Sequence, residues 1–314
     1  MSVGSVEAPR PLEASSRLAA RSQLRSVLRR LRRDRAAMLS IAFLVLITAF
    51  ALGAPLVARL NGHPPNDLTY QYDMTTELGL PKGPNFELDF WVGADQFGRD
   101  LLTRTAYGAR ISLLVGLAST ILALIVGCVV GVLSGFLRGS VDTALSRGVD
   151  VVLSFPILLL ALAIRAVFGA SLWIMIVVVA FATWPFIARI VRGQALVIRE
   201  QEYVSAARSL GASNVAIMWR HVLPNLVGPL VVYGTLIIPV NILLEASLSY
   251  LGLGLPPPTA TWGQMLADGQ AYYATAWWMI AVPGAALLLT TLAFNLVGDG
   301  LRDALDPRTG RGTL

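Results

Sequence analysis

Long stretches of this chain carry no charged side chain, and the charged residues crowd together between them. From Ala36 to Ala58 there are 23 uncharged residues. At 1.5 Å per residue these give about 34 Å of helix, enough to cross a hydrocarbon core of about 30 Å. Further uncharged stretches run from Ile111 to Leu137, from Val222 to Leu244 and from Gly269 to Gly298, and a longer one, Val151 to Ala188, is interrupted only by Arg165. One helix of that length would overshoot the bilayer. Arg165 and Gly169 are therefore read as a tight outer turn between two spans, with the Arg side chain reaching to the interface. The pattern predicts six membrane-spanning helices. Pro156, Pro185, Pro239 and Pro283 fall one in each of the last four, and each predicts a kink.

Composition agrees with this reading. The chain has 314 residues, 55% hydrophobic and only 14% charged, against roughly one-quarter charged in a soluble globular protein. Its mean hydropathy is +0.65. No room is left for a large soluble catalytic domain. The formal net charge of +6 raises a nucleic-acid partner, but nine of the 25 basic residues precede Ala36 and most of the others lie between apolar runs. That placement fits topology and excludes a phosphate-binding groove. If the N-terminus is cytoplasmic, 19 of the 25 basic residues fall on the cytoplasmic side, so both termini are expected there.

The resulting layout begins with a basic cytoplasmic tail over 1–35. Its Leu24, Val27, Leu28 and Leu31 share one face of an amphipathic helix suited to the anionic membrane surface. Span one follows at 36–58; a cleaved signal peptide and an organellar transit peptide are the competing readings of this N-terminal region. A small irregular extracytoplasmic cap at 59–110 holds seven acidic residues, and a core at 111–300 carries the other five spans. A cytoplasmic tail at 301–314 completes the chain. The fold class is an all-α membrane protein.

Candidate chemistry is sparse. The single cysteine, Cys128, and two distant histidines, His63 and His221, offer no disulfide framework, no metal site and no nucleophile with a base beside it. No residue is a catalytic candidate, and a membrane-embedded enzyme is set aside. The chain has no phosphate-binding loop of the G-x-x-x-x-G-K-[ST] form, so it has no ATP site of its own. Within the membrane the polar residues are Asn241 and Glu245 in span five, with Asn295 and Asp299 at the inner end of span six. Intramembrane ionisable groups are functional candidates by default. Asn241 and Glu245 are candidates for a translocation path. Glu245 has three readings: contact with a substrate amine, pairing with a basic residue of a partner, or a place at the outer interface. Asp299 is read as part of a cytoplasmic turn with Arg302.

The segment 189–225 between spans four and five is neither short nor apolar. Residues 199–208 are good helix formers, Gly211 supplies a stop, and Val215 to Val222 can restart before Pro224. A helix, a glycine turn and a second short helix are expected across the inner face. Ala206, Ala207 and Gly211 admit a closely approaching surface, and Glu202 and Arg208 offer directional polar contacts.

Ser205-Ala206-Ala207, then Gly211, then Leu223-Pro224, within a loop taken as 194–225, resembles the EAA motif of the membrane subunits of ABC importers. Ser205 stands where the motif has Glu, and His221 where it has Ile, so Glu202 is the candidate replacement for the acidic group. Val92 to Leu102, Tyr107 to Leu113, Leu248 to Gly254 with Pro256-Pro257-Pro258 and Trp262-Gly263, and Gly298 to Arg308 are similar to C-type permease subunits of dipeptide and oligopeptide importers. The resemblance implies a permease subunit in the cell membrane that forms half of a peptide pathway and is not itself an enzyme. It also implies a homologous second permease subunit, two ATP-binding subunits or one fused chain, and an extracytoplasmic peptide-binding protein. ATP and Mg would be bound by those partners, and the coupling residues would be Glu202, Ser205, Ala206, Ala207, Arg208, Gly211, Leu223 and Pro224. Membrane lipid is the other expected contact, with no nucleic acid. The alternative from another mechanism class is an ion-coupled secondary transporter of small solutes, which usually shows inverted repeats and more ion-coupling acids.

Overall fold

The computed structural model describes residues 29–305. Most of the predicted amphipathic tail lies outside the described residues. Asp34 caps the first long helix, α1 (Arg35–Leu52), by accepting from the backbone N–H groups of Ala36 and Ala37. At Gly53 the chain breaks and continues as the short α2 (Ala54–Asn61).

Residues 62–100 form the irregular cap, in which His63 and Tyr70 pack around Phe90. Its only pairings among the described residues are isolated bridges, such as Ala94 with Asp100. The next helix, α3 (Leu101–Leu137), starts well before the expected Ile111. Asp100 caps it and also accepts from Asn61. Asp95, Arg99 and Arg104 here are buried and paired. Asp95 meets Arg99 at 2.7 Å and Arg104 at 3.1 Å.

The third predicted span differs from expectation. It is two helices, α4 (Gly139–Ser154) and α5 (Ile157–Phe168), bent by 85° where Phe155 and Pro156 interrupt the ladder. Proline lacks the donor that would carry the helix through and disfavours helical geometry in the residue before it. After α6 (Leu172–Arg199) and the short α7 (Glu202–Ser209), α8 (Asn214–Tyr250) runs for 37 residues. It contains a wide π turn over Met218–Val222. Pro224 lies immediately beyond that turn, and a wider turn accommodates the carbonyl that a proline ring displaces. A short helix, α9 (Trp262–Gln270), precedes the last span, and that span, expected over Gly269–Gly298, is the later and longer α10 (Trp278–Leu305). Asp299 is an exposed residue inside α10 and forms no turn with Arg302. Among the described residues five helices, α1, α3, α6, α8 and α10, are long and apolar enough to cross a membrane, and the bent α4–α5 pair makes a sixth pass if counted as one.

Glycine allows the closest contacts. Gly127, Gly131 and Gly135 recur every fourth residue on α3 and face α6. A Cβ on Gly131 would stand 2.6 Å from the Ala188 carbonyl oxygen, and one on Gly135 would stand 2.5 Å from that of Arg192. Small residues at four-residue spacing let two membrane helices bring their backbones together. The residue pairs rise together along both helices, so α3 and α6 are parallel. α8 runs the other way against α3, pairing Gly116 with Ile242 and Leu124 with Gly234. Gly300 of α10 lies against Ala37 of α1, so the start of the first long helix and the end of the last share one end of the bundle. α7 also sits at that loop end, and the cap covers the other.

Candidate functional site

At the loop end, α6 carries the chain out of the bundle. Arg199 donates to the Phe136 carbonyl at the end of α3, which ties the exit of one parallel helix to the exit of the other. Three residues later α7 begins. Its Val204 is fully buried in a cluster with Phe136, Ile217, Met218 and Val222, which anchors one face. On the far side Glu202, Ser205 and Ala206 are exposed, Ala207 is half-buried, and Arg208, one turn beyond Val204, is exposed with its guanidinium over the Phe136 ring. Glu202 and Ser205 are three residues apart and therefore neighbours on the helix surface. The turn after α7 closes as expected, with the Gly211 N–H donating to Arg208 and the Ala212 N–H to Ala207. Gly211 has φ +82° and open space where a side chain would be, so the constraint there is conformational, not steric.

Leu223 is half-buried against the same cluster and Pro224 is exposed. The structure brings the eight coupling candidates to one end of the molecule, on α7, the turn after it and the first turns of α8. Tyr203 and His221 lie beside each other, their ring centroids 5.9 Å apart, and Asn225 bridges the region by donating to the His221 carbonyl at 2.6 Å. A short helix with a buried anchor and an exposed face of small residues can seat in a complementary groove.

Asn241 and Glu245 are elsewhere, on the face of α8 that packs against α3. Glu245 is 1% exposed. Its two oxygens accept from Ser112 at 2.9 Å and from Ser249 at 2.7 Å. Ser112 in turn accepts from the Trp262 N–H. Asn241 donates to Thr120 at 2.8 Å. Both residues tie helices of this chain together, and the partners of Glu245 are hydroxyls of its own subunit. Val240 and Leu244 of α8 border open space beside the bent element. With Phe155, Phe181 and Phe186 they line a hollow of about 310 Å³ at the α4–α5 bend.

Sequence reading also passed over polar pins on the bent element. Asp142 of α4 receives two hydrogen bonds at 2.7 Å from Arg192 of α6, and Asp150 meets Arg189 at 2.8 Å. An acid at one end of a weakly apolar stretch and two Arg one turn apart on the next helix were the available signal. Arg165 lies in the last turn before Gly169, where the outer turn was expected. It donates to the carbonyls of Gly252 and Gly254, just past the end of α8.

Comparison with known proteins places these features. Residues 127–311 match the family described as binding-protein-dependent transport system inner membrane component. Residues 22–81 match the N-terminal TM domain of oligopeptide transport permease C. The oligopeptide transport system permease protein OppC of Bacillus subtilis is 39% identical over 279 residues, covering 89% of this chain and 88% of that protein. The di/tripeptide transport system permease protein DppC of Pseudomonas aeruginosa is 40% identical over 275 residues, covering 88% and 89%. Among solved structures, an inward-facing MetNI methionine ABC transporter chain superposes with a TM-score of 0.54 at 22% identity, covering 63% of this chain and 94% of that one. That likeness is one of fold.

Proposed function

The chain belongs to the inner membrane components of binding-protein-dependent transport systems, and from that premise we propose that it forms half of the pathway of an ATP-driven peptide importer. Di- and oligopeptides are the substrate class, since the relatives are named for them. The ion-coupled alternative is set aside by the family. The cell membrane is the site of action, and the excess of basic residues puts the loop end and both termini on the cytoplasmic side.

The single observation that carries the mechanism is α7. It is held by Val204 and exposed along Glu202, Ser205, Ala206 and Arg208, at the end of α6 and at the start of α8. A partner that grips this face moves two membrane helices directly. The partner is an ATP-binding subunit; ATP and Mg sit on that subunit, two of which or one fused chain serve the complex. A homologous second permease completes the pathway, and a peptide-binding protein delivers substrate at the cap end. ATP and loaded binding protein each favour a different state of the pathway, and alternation follows from that difference in affinity. On the exposed face Glu202 supplies the acid that Ser205 lacks.

Ala206→Trp tests the proposal. The side chain points away from the anchor, so the permease should still insert and fold. ATP-dependent peptide uptake and co-purification of the ATP-binding subunit should both be lost. Normal uptake by Ala206→Trp would remove α7 from the coupling role.

A further inference from the structure

The bent α4–α5 element is bound to the bundle unlike any other long segment. Only Val149 of the sixteen residues of α4 and only Ala161 of the twelve of α5 are buried. Apolar packing therefore cannot fix either arm as it fixes α3 or α8. Polar contacts near the two ends take its place. At the loop end Asp142 is held by Arg192, Ser134 and Ser146, and Asp150 by Arg189. At the cap end Arg165 reaches across to Gly252 and donates to Gly254 at 2.8 Å. These acceptors follow the last turn of the 37-residue α8, where unpaired carbonyls and the negative end of the helix dipole favour a guanidinium. Gly254 is itself pressed against Ser249, the residue that donates to Glu245. The acceptor loop is thus fixed to the buried polar cluster of α8.

We propose that Arg165 is a positioning residue for transport, latching the far arm of the bent helix to the end of α8 so that movement entering through α6 reaches the cap end. The near pins attach α4 to α6, and α6 leads straight into α7. The bend at Pro156 lies between pin and latch, beside the hollow lined by Phe155 and Leu244. Without the latch α5 has one buried side chain to hold it, and movement of α6 is absorbed at the bend. The inference rests on the importer reading.

The test uses the whole complex in lipid nanodiscs, carrying Cys128→Ser. Spin labels are placed at Val167, 75% exposed, and Leu251, 57% exposed. Wild type should give one narrow distance between the labels without nucleotide, and Arg165→Gln a broad one. In proteoliposomes, radiolabelled trialanine taken up per ATP hydrolysed should fall about fivefold or more in Arg165→Gln, the lower end of typical coupling between sites. ATP hydrolysis itself should persist. Arg165→Lys, a point donor that cannot fork across two carbonyls, should fall between the two. A narrow distance and an unchanged uptake ratio in Arg165→Gln would overturn the latch, as would failure of both variants to assemble, which would make Arg165 a folding residue. Wild-type uptake that needs no ATP would instead overturn the importer reading and leave the distance measurement to judge the latch.

Discussion

Glu245 shows what a membrane interior does with a carboxyl group. Each oxygen accepts from a hydroxyl, Ser112 on one side and Ser249 on the other, and neither bond is to a cation. Two donors and one carboxyl satisfy one another, and deletion strands both donors. Glu245→Ala should therefore lower stability by about 1–3 kcal/mol per orphaned group, whereas Glu245→Gln keeps the shape and one acceptor and should cost less. Thermal unfolding of the purified subunit in detergent measures the order. If the alanine variant melts with the wild type, the cluster is not a structural tie. The sequence marked Glu245 as important without revealing its neighbours. Which face of α8 meets α3 depends on long-range pairing such as Gly116 with Ile242, and no local pattern states it. The helix and turn of α7 were legible because their signal is local: helix formers, small residues and a glycine stop within a dozen positions.

Between elements, the contact of α3 with α6 depends on the absence of side chains at Gly127, Gly131 and Gly135. Gly131→Leu would drive a side chain into the Ala188 carbonyl. Overpacking of this kind costs about 1–3 kcal/mol, and more where backbone faces backbone. The variant should reach the membrane in reduced amount and lose co-purifying partners, whereas the same change at Gly193, with open space around it, should be tolerated. Equal yields from the two would refute the packing argument. A four-residue glycine spacing inside an apolar run was readable in advance. The 85° bend was not. Uncharged length put the start of the third span at Val151, whereas α4 begins at Gly139, and Pro156 announced a kink without its size. The start of α3 was misplaced for a related reason. Charged residues served as markers of chain outside the membrane, yet Arg104 pairs with Asp95 under the cap and lies within the helix.

For the whole molecule, the cap and the coupling loop must face opposite sides of the membrane. Tyr72 in the cap is 89% exposed and Leu210 beside Gly211 is 88% exposed. In a Cys128→Ser background, Tyr72→Cys should react with a membrane-impermeant maleimide on intact spheroplasts. Leu210→Cys should react only after permeabilisation. Labelling of both from one side would contradict the topology, and the reverse pattern would invert it. An opposed arrangement is what an importer needs, with a binding protein received at one end and ATP-driven force applied at the other. The chain supplies the bundle between them and no phosphate-binding loop.

The measurement that bears most directly on this account is peptide uptake by the reconstituted complex with a hydrolysis-deficient ATP-binding partner. The account predicts that uptake stops while the complex stays assembled, and that collapsing ion gradients across wild-type proteoliposomes leaves uptake intact. Uptake that survives the inactive partner and disappears with the ion gradient would contradict it.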